Sequence, residues 1–283
     1  MDAKITKYNQ TTMHPVRAKK NLGQHFLRDK QIASRIADTI DHLSDMPILE
    51  VGPGTGMLTQ YLLQRERELL VVEVDKESVA FLQNHFPTLN GRILEDDFLQ
   101  MNFSEYFGEP FCVIGNYPYH ISSQIFFKVL EHREQIPCCA GMIQKEVAER
   151  VVATPGNKAY SILSVLLQTW YDVEYLFTVN REAFIPPPKV TSAVVRLTRN
   201  KRRQLMCDEE LFKKVVKATF NQRRKMLRNT LKPFLPNMEM LQDEPLLTKR
   251  PEELSVEQFE ALTLRLTSAI AQAEHTTKQS KNK

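Results

Sequence analysis

The sequence predicts an α/β fold, a sheet of parallel strands flanked by helices, with a small helical unit after it. Three observations predict it. Short apolar runs alternate with helix-period segments between residues 47 and 132. The first of those runs ends in a glycine loop, Gly52-Pro53-Gly54-Thr55-Gly56. Beyond Asp208 only helical periodicity remains. Strand and helix alternating at this pitch implies right-handed βαβ units.

Taken in order, Pro47-Ile48-Leu49-Glu50-Val51 reads as a buried strand, and residues 55–67 as a helix with Met57, Leu58, Tyr61, Leu62 and Leu63 on one side. Residues 69–74 read as a second strand and 76–86 as a second helix. Arg92-Ile93-Leu94 opens a short third strand that leads to Asp96 and Asp97, and residues 111–114 form a fourth, followed by a helix over 122–132. Later strands are expected over 139–143, 173–179 and 192–197. The basic run Arg199-Asn200-Lys201-Arg202-Arg203 marks a boundary, so the chain divides into a domain over 1–200 with a basic N-terminal arm, a helical domain over 201–272, and a polar, disordered tail over 273–283. In the helical domain Phe212, Val216, Phe220 and Leu227 share a face, four prolines break the pattern, and a last helix is expected over 256–271.

Composition narrows the function classes. With 283 residues, 42% hydrophobic and 25% charged, the chain has ample core for one or two globular domains. No apolar run approaches the roughly 20 residues that span a bilayer. The four cysteines lack metal-ligand spacing and the N-terminus lacks a signal-peptide core, which together predict a reduced, cytoplasmic protein. Residues 1–30 carry a net charge of +5, residues 31–184 a net of −10, and residues 185–283 a net of +9. Basic margins around an acidic middle suit a catalytic domain whose edges hold a polyanion.

The glycine loop permits close backbone approach to a ligand, but its spacing is not the G-x-G-x-x-G of dinucleotide sites, which excludes a nicotinamide dehydrogenase. By itself it is weak evidence, since a plain strand-to-helix turn is the alternative reading. Glu73, 19 residues beyond Gly54 at the end of the second strand, is placed to accept both hydroxyls of a ribose. Asp75 is its rival, although it is also placed to cap the next helix. Asp97 is open to two readings, an acceptor for an adenine amine or a turn cap.

Asn116-Tyr117-Pro118-Tyr119 follows the apolar run that ends in Gly115. A carboxamide oxygen at a strand end accepts from an exocyclic amine, and a tyrosine ring stacks on a base. Such a site directs the amine's lone pair by holding its hydrogens, so positioning rather than a strong base carries the reaction.

The tetrad resembles the Asn/Asp-Pro-Pro-Tyr signature of methyltransferases acting on base amines. With Asn21-Leu22-Gly23-Gln24-His25-Phe26-Leu27 and Phe184-Ile185-Pro186-Pro187-Pro188-Lys189-Val190-Thr191-Ser192-Ala193-Val194-Val195, the chain resembles the ribosomal RNA adenine dimethyltransferase family from about residue 17 to about residue 265, and its small-subunit (16S) branch most closely. The resemblance implies a Rossmann-like class I methyltransferase sheet with a small all-helical C-terminal domain. It implies S-adenosyl-L-methionine held by His25, Leu27, Gly52, Glu73, Asp97 and Asn116, with Asn116 Oδ1 and the Tyr117 carbonyl holding the amine. Tyr119 would stack on one face of a flipped adenine and Phe184 on the other. Phe184 is also readable as a core aromatic. Three residues depart from the family's usual pattern: His25 and His120 stand where Asn is common, and Tyr117 where Leu or Ile is usual.

Arg223, Arg224, Lys225 and Arg228 lie in the densest basic stretch, expected on a helix, and with Arg17, Lys19, Lys20 and residues 199–203 would contact RNA phosphates. A solvated helix face is the plainer reading of that stretch. The resulting expectation is a monomeric enzyme that dimethylates two adjacent adenines in a small-subunit rRNA hairpin, with a role in subunit assembly and no membrane partner. The alternatives are a large-subunit (23S) methylase of the macrolide-resistance type and a non-catalytic RNA-binding assembly factor. A DNA adenine methylase is disfavoured because no target-recognition domain is evident.

Overall fold

A computed structural model describes residues 16–19, 22–43, 45–235, 241 and 243–281, the last eight by backbone alone. Lys20 and Asn21, named above in the basic arm and the N-terminal motif, lie outside the described residues.

The chain begins with β1 (Phe26–Leu27) and α1 (Lys30–Asp38), the latter capped by the Asp29 carboxylate on the Gln31 and Ile32 amides. Next come β2 (Ile48–Val51), a single-turn α2 (Thr59–Leu62), β3 (Leu69–Val72), α3 (Lys76–His85) and β4 (Ile93–Leu94). β5 (Cys112–Asn116), α4 (Ser122–Glu131), β6 (Cys138–Gln144), α5 (Lys145–Val152), α6 (Ile162–Trp170) and β7 (Tyr171–Val179) follow. The sheet closes with β9 (Ser192–Arg199), after the short β8 (Phe184–Ile185).

Seven strands form one sheet in the order β4-β3-β2-β5-β6-β9-β7. The first five are parallel; β9 is antiparallel to both of its neighbours. The alternation of apolar runs and helices therefore gave the correct class, α/β, and the strand order is that of the class I methyltransferase sheet which the family resemblance implied. β2, β3 and most of β5 are buried on both faces, which is why they read as continuous apolar runs rather than alternating ones. Ile48, Leu49, Val71, Val113 and Ile114 are wholly buried, each contributing roughly 1.5–3 kcal/mol of hydrophobic stabilisation.

The sequence order reverses between β2 and β5. Open α/β sheets bind ligands at such a point, beyond the carboxyl ends of the strands. Gly52, Glu73 and Asn116 all lie at those ends.

The helix expected from residue 55 starts only at Thr59. Gly52, Gly54 and Gly56 all have positive φ, and +77° at Gly56 cannot be part of a right-handed helix. At Gly56 a side chain would also collide with Phe86, 2.3 Å from the added Cβ.

The C-terminal portion contains α7 (Glu209–Phe220), α8 (Leu227–Thr230) and α9 (Val256–Lys281). Its apolar face, with Phe212, Val216, Leu227, Phe259 and Leu262, continues the core that covers one side of the sheet. Two ion pairs tie it down, Arg133 to Glu209 at 2.8 Å and Arg202 to Glu260 at 2.6 Å. The basic stretch over residues 221–225 is a turn and not a helix: α7 ends at Phe220, with Asn221 as its C-cap. Where the sequence reading expected a disordered tail over 273–283, the backbone of α9 stays helical to Lys281. No glycine or proline interrupts it after residue 256. No described helix is long and apolar enough to cross a membrane.

Candidate active site

A cavity of about 290 Å³ lies at the reversal point. It is lined by every residue expected to hold a cofactor, His25, Leu27, Gly52, Glu73, Asp97 and Asn116, and by Tyr119. Topology brings them together from three strand ends, the loop after β4, and β1.

β1 is held there by a pairing that sequence periodicity could not reveal. It runs antiparallel to β8, with Phe26 opposite Ile185 and Leu27 opposite Phe184. His25 Nδ1 adds a 2.8 Å bond to the Pro186 carbonyl. Thus the N-terminal motif and the proline-rich motif form one unit beside the tetrad.

Gly52 lies at φ +68°, and a Cβ there would meet nothing closer than 3.9 Å. Glycine is needed for the backbone conformation, and the space on that side stays open to a ligand. Glu73 is 5% exposed; its Oε2 accepts from the Gly54 amide at 3.1 Å and its Oε1 from the Asp75 amide at 3.0 Å. Burial raises its pKa, and those two amides pull it part of the way back. Each carboxylate oxygen keeps a lone pair for a second donor.

Asp75 is the cap it was expected to be. It accepts from the Glu77 amide and from the Lys19 ammonium at 2.6 Å, and it does not line the cavity. Burial alone would raise the Asp75 carboxyl, but bonds from Lys19, Gln24 and Ser78 outweigh it and hold it below its usual range. Lys19, assigned to RNA from the sequence, is therefore engaged within the protein, also reaching Glu77 at 3.0 Å. Asp97 is a cap that also lines the cavity: its Oδ1 accepts from the Leu99 amide at 3.0 Å.

Glu50 was not singled out by sequence, because it reads as one more strand residue. It lines the cavity, is 1% exposed, and its Oε2 has no hydrogen-bond partner. Burial pushes its carboxyl up to about 8, and the Thr59 hydroxyl offsets this only in part. The signal was an acidic residue inside an otherwise apolar run.

Asn116 ends β5, and its Nδ2 donates to the His25 carbonyl at 3.0 Å. That bond fixes the carboxamide and leaves Oδ1 free of any described protein donor. Tyr119 Oη shares a 2.5 Å hydrogen bond with Ser192 Oγ, a wholly buried hydroxyl, and burial raises the phenol's pKa. The ring of His25 stacks against Tyr119, 5.5 Å between centroids.

Tyr117 points away from the cavity mouth into the sheet. Its hydroxyl donates to the Ala140 carbonyl at 2.8 Å, and its ring fills the space left by Gly115 and Gly141. The Tyr117 amide donates to Met142 O at 3.1 Å, so the backbone after Asn116 is held from both sides. His120 lines the cavity, with its Nδ1 2.7 Å from where a Cβ on Gly23 would sit.

Phe184 is not among the cavity-lining residues. Its ring is 1% exposed and belongs to the core on the second face of the sheet, which matches the core-aromatic reading. In the basic stretch Arg224, Lys225 and Arg228 are exposed. Arg223 is not free: it donates to the Lys158 carbonyl at 2.6 Å and the Asn157 carbonyl at 3.3 Å. Arg199 and Arg202 likewise bind Glu134 and Glu260.

Residues 16–265 match the family model described as ribosomal RNA adenine dimethylase. The chain belongs to this family. It is 62% identical over 256 residues to ribosomal RNA small subunit methyltransferase A of Parabacteroides distasonis, covering 89% of this chain and 95% of that protein. The protein of that name from Bacteroides thetaiotaomicron is 59% identical over 262 residues, covering 92% and 98%. A dimethyladenosine transferase from Plasmodium falciparum matches with a TM-score of 0.72 at 25% identity, over 86% of this chain and 96% of that one. The 23S rRNA methyltransferase ErmE matches with a TM-score of 0.62 at 28% identity, over 86% and 99%.

Proposed function

We propose that this protein transfers methyl groups from S-adenosylmethionine to the exocyclic amines of adenines in small-subunit (16S) rRNA, giving dimethyladenosine. The observation that carries it is the Asn116 carboxamide at the switch-point cavity, anchored through Nδ2 and with no described protein donor on Oδ1. Family membership gives the reaction class, and the 62% and 59% identical relatives bear the small-subunit name.

The cavity suits S-adenosylmethionine on its own chemistry. Glu73 has acceptor capacity for ribose hydroxyls, Asp97 stands by for a base amine, and the orphan oxygen of Glu50 suits an ammonium. When bound, that molecule supplies a methyl group on a cationic sulfur. Asn116 Oδ1 and the Tyr117 carbonyl would accept hydrogen bonds from the two amine hydrogens and so direct the nitrogen lone pair. Tyr119 would hold the base by stacking, and after transfer the extra proton leaves from the now acidic nitrogen. Leu27 would pack beside the cofactor and His25 would close that side of the cavity.

We extend the reading to two adjacent adenines of one rRNA hairpin, modified by a cytoplasmic monomer during subunit assembly. Arg224, Lys225 and Arg228 would grip phosphates, with Arg223 bracing their loop. The test is transfer from labelled S-adenosylmethionine to unmethylated small subunits, with large-subunit RNA in parallel. Dimethyladenosine in the small subunit alone is expected; label in large-subunit RNA would overturn the assignment.

A further inference from the structure

The segment between β7 and β9 contains two cations that the folded protein does not use. Arg181 and Lys189 are both exposed, and neither side chain has an ion-pair or hydrogen-bond partner among the described residues. Most neighbouring arginines are used internally: Arg28 on the Glu182 carbonyl, Arg150 on Glu146, Arg196 on Glu174. Arg181 and Lys189 line an open groove of about 470 Å³ together with Gln144, Lys145, Glu146 and Glu149. Lys145 pairs with Glu149 at 3.7 Å and Glu146 with Arg150, so Arg181 and Lys189 are the groove cations left without a carboxylate partner among the described residues. They belong to the end of a region, residues 31–184, and the start of the next, whose net charges are −10 and +9.

The same segment exposes apolar surface. Ile185 is 56% exposed and Val190 44%, on either side of Pro186, Pro187 and Pro188. Exposed aliphatic side chains beside unpaired cations offer a surface on which a charged, partly apolar partner can pack. The segment is also rigid where it meets the active site. Ile185 pairs with Phe26 in the two-stranded sheet, and the Pro186 carbonyl holds the ring of His25, which stacks on Tyr119.

We infer that the groove of Arg181 and Lys189 binds the phosphates flanking the target adenine, with Ile185 packed on the bases left behind when that adenine turns out. This rests on the rRNA methyltransferase reading above. An adenine amine inside a helix cannot reach Asn116 Oδ1, so the nucleotide must leave its stack. Extrusion exposes a gap between neighbouring bases, which an aliphatic side chain fills, while the displaced backbone needs cations beside the cavity mouth. The basic stretch of Arg224, Lys225 and Arg228, running from the turn after α7 into α8, lies on the helical portion and serves a separate part of the RNA.

The experiment compares wild type with the double variant Arg181→Ala/Lys189→Ala on unmethylated small subunits over a range of salt. Both side chains are exposed, and thermal unfolding together with S-adenosylmethionine affinity checks that fold and cofactor site are intact. The expected result is a several-fold rise in KM for the subunit, unchanged kcat at saturation, and a salt slope lower by about 1.5, since each phosphate contact contributes roughly 0.7–0.9. Arg181→Lys should restore part of that slope. An unchanged slope and KM in the double variant, with wild type active, would overturn the groove while leaving the methyltransferase reading intact. Wild type with no transfer to small subunits would remove that reading, and this inference with it.

Discussion

The Nδ2 of Asn116 lies 3.0 Å from the carbonyl of His25, joining residues 91 apart in sequence. One bond thereby sets which atom of the carboxamide meets the substrate. It also gives the pinning of β1 to β8 a consequence: a shift of that two-stranded sheet would release the His25 carbonyl and let the carboxamide rotate. The catalytic geometry is consequently distributed over three motifs that are distant in the chain.

Tyr119 and Ser192 form a second such link at 2.5 Å. Ser192→Ala and Tyr119→Phe should each lower kcat by roughly 3- to 10-fold, the range of one neutral hydrogen bond. The double variant should be no worse than either alone. A double-mutant cycle on kcat checks this, and strictly additive losses would mean the bond does not position the ring.

Glu73→Ala should weaken S-adenosylmethionine binding by roughly tenfold to a hundredfold, as expected for hydrogen bonds to a charged acceptor. It also frees the Gly54 and Asp75 amides, so the melting temperature should fall as well. Calorimetric titration reads the first effect and thermal unfolding the second. An unaltered dissociation constant would remove Glu73 from the ribose role.

Much of this was legible in the sequence, and the omissions have physical causes. β2, β3 and β5 are buried on both faces, so their apolar runs were unmistakable, and the residues at their ends could be named. β1 and β8 are two residues each, too short to carry any periodicity. α5 and α6 were passed over although α6 is apolar almost all round, a pattern that resembles a buried strand as closely as a helix. Tyr117 could be flagged as unusual but not oriented, because the glycine that accommodates its ring, Gly141, belongs to β6. Charge counting overrated Lys19, Arg199, Arg202 and Arg223, whose partners are acidic side chains or carbonyls remote in sequence.

Glu50 makes stability depend on pH. Its native carboxyl titrates at about 8, whereas in the unfolded chain it returns to the ordinary glutamate range. Its contribution is then complete below that ordinary range and drains away as pH rises toward 8. The ligand-free protein should lose melting temperature between pH 5 and 8.5, and Glu50→Gln should flatten the decline. Thermal scans across that window decide; equal slopes in both proteins would show that Glu50 is ionised throughout.

Gly141→Ala should destabilise the protein by about 1–3 kcal/mol, because the new Cβ would lie 2.4 Å from the Tyr117 ring. Pairing it with Tyr117→Leu, the residue type usual in the family, should recover part of the loss. Urea unfolding of the single and double variants measures both. No recovery would mean that the clash with the Gly115 carbonyl, at 2.7 Å, dominates.

The most direct test is Asn116→Ala, measured for single-turnover methyl transfer and for S-adenosylmethionine affinity in the same preparation. The account predicts transfer slowed at least about 100-fold, the order of loss seen when one preorganised hydrogen-bonding group is removed from an active site, with cofactor binding retained within about tenfold. Transfer at the wild-type rate would contradict it, and with it the claim that the carboxamide held by His25 directs the adenine amine.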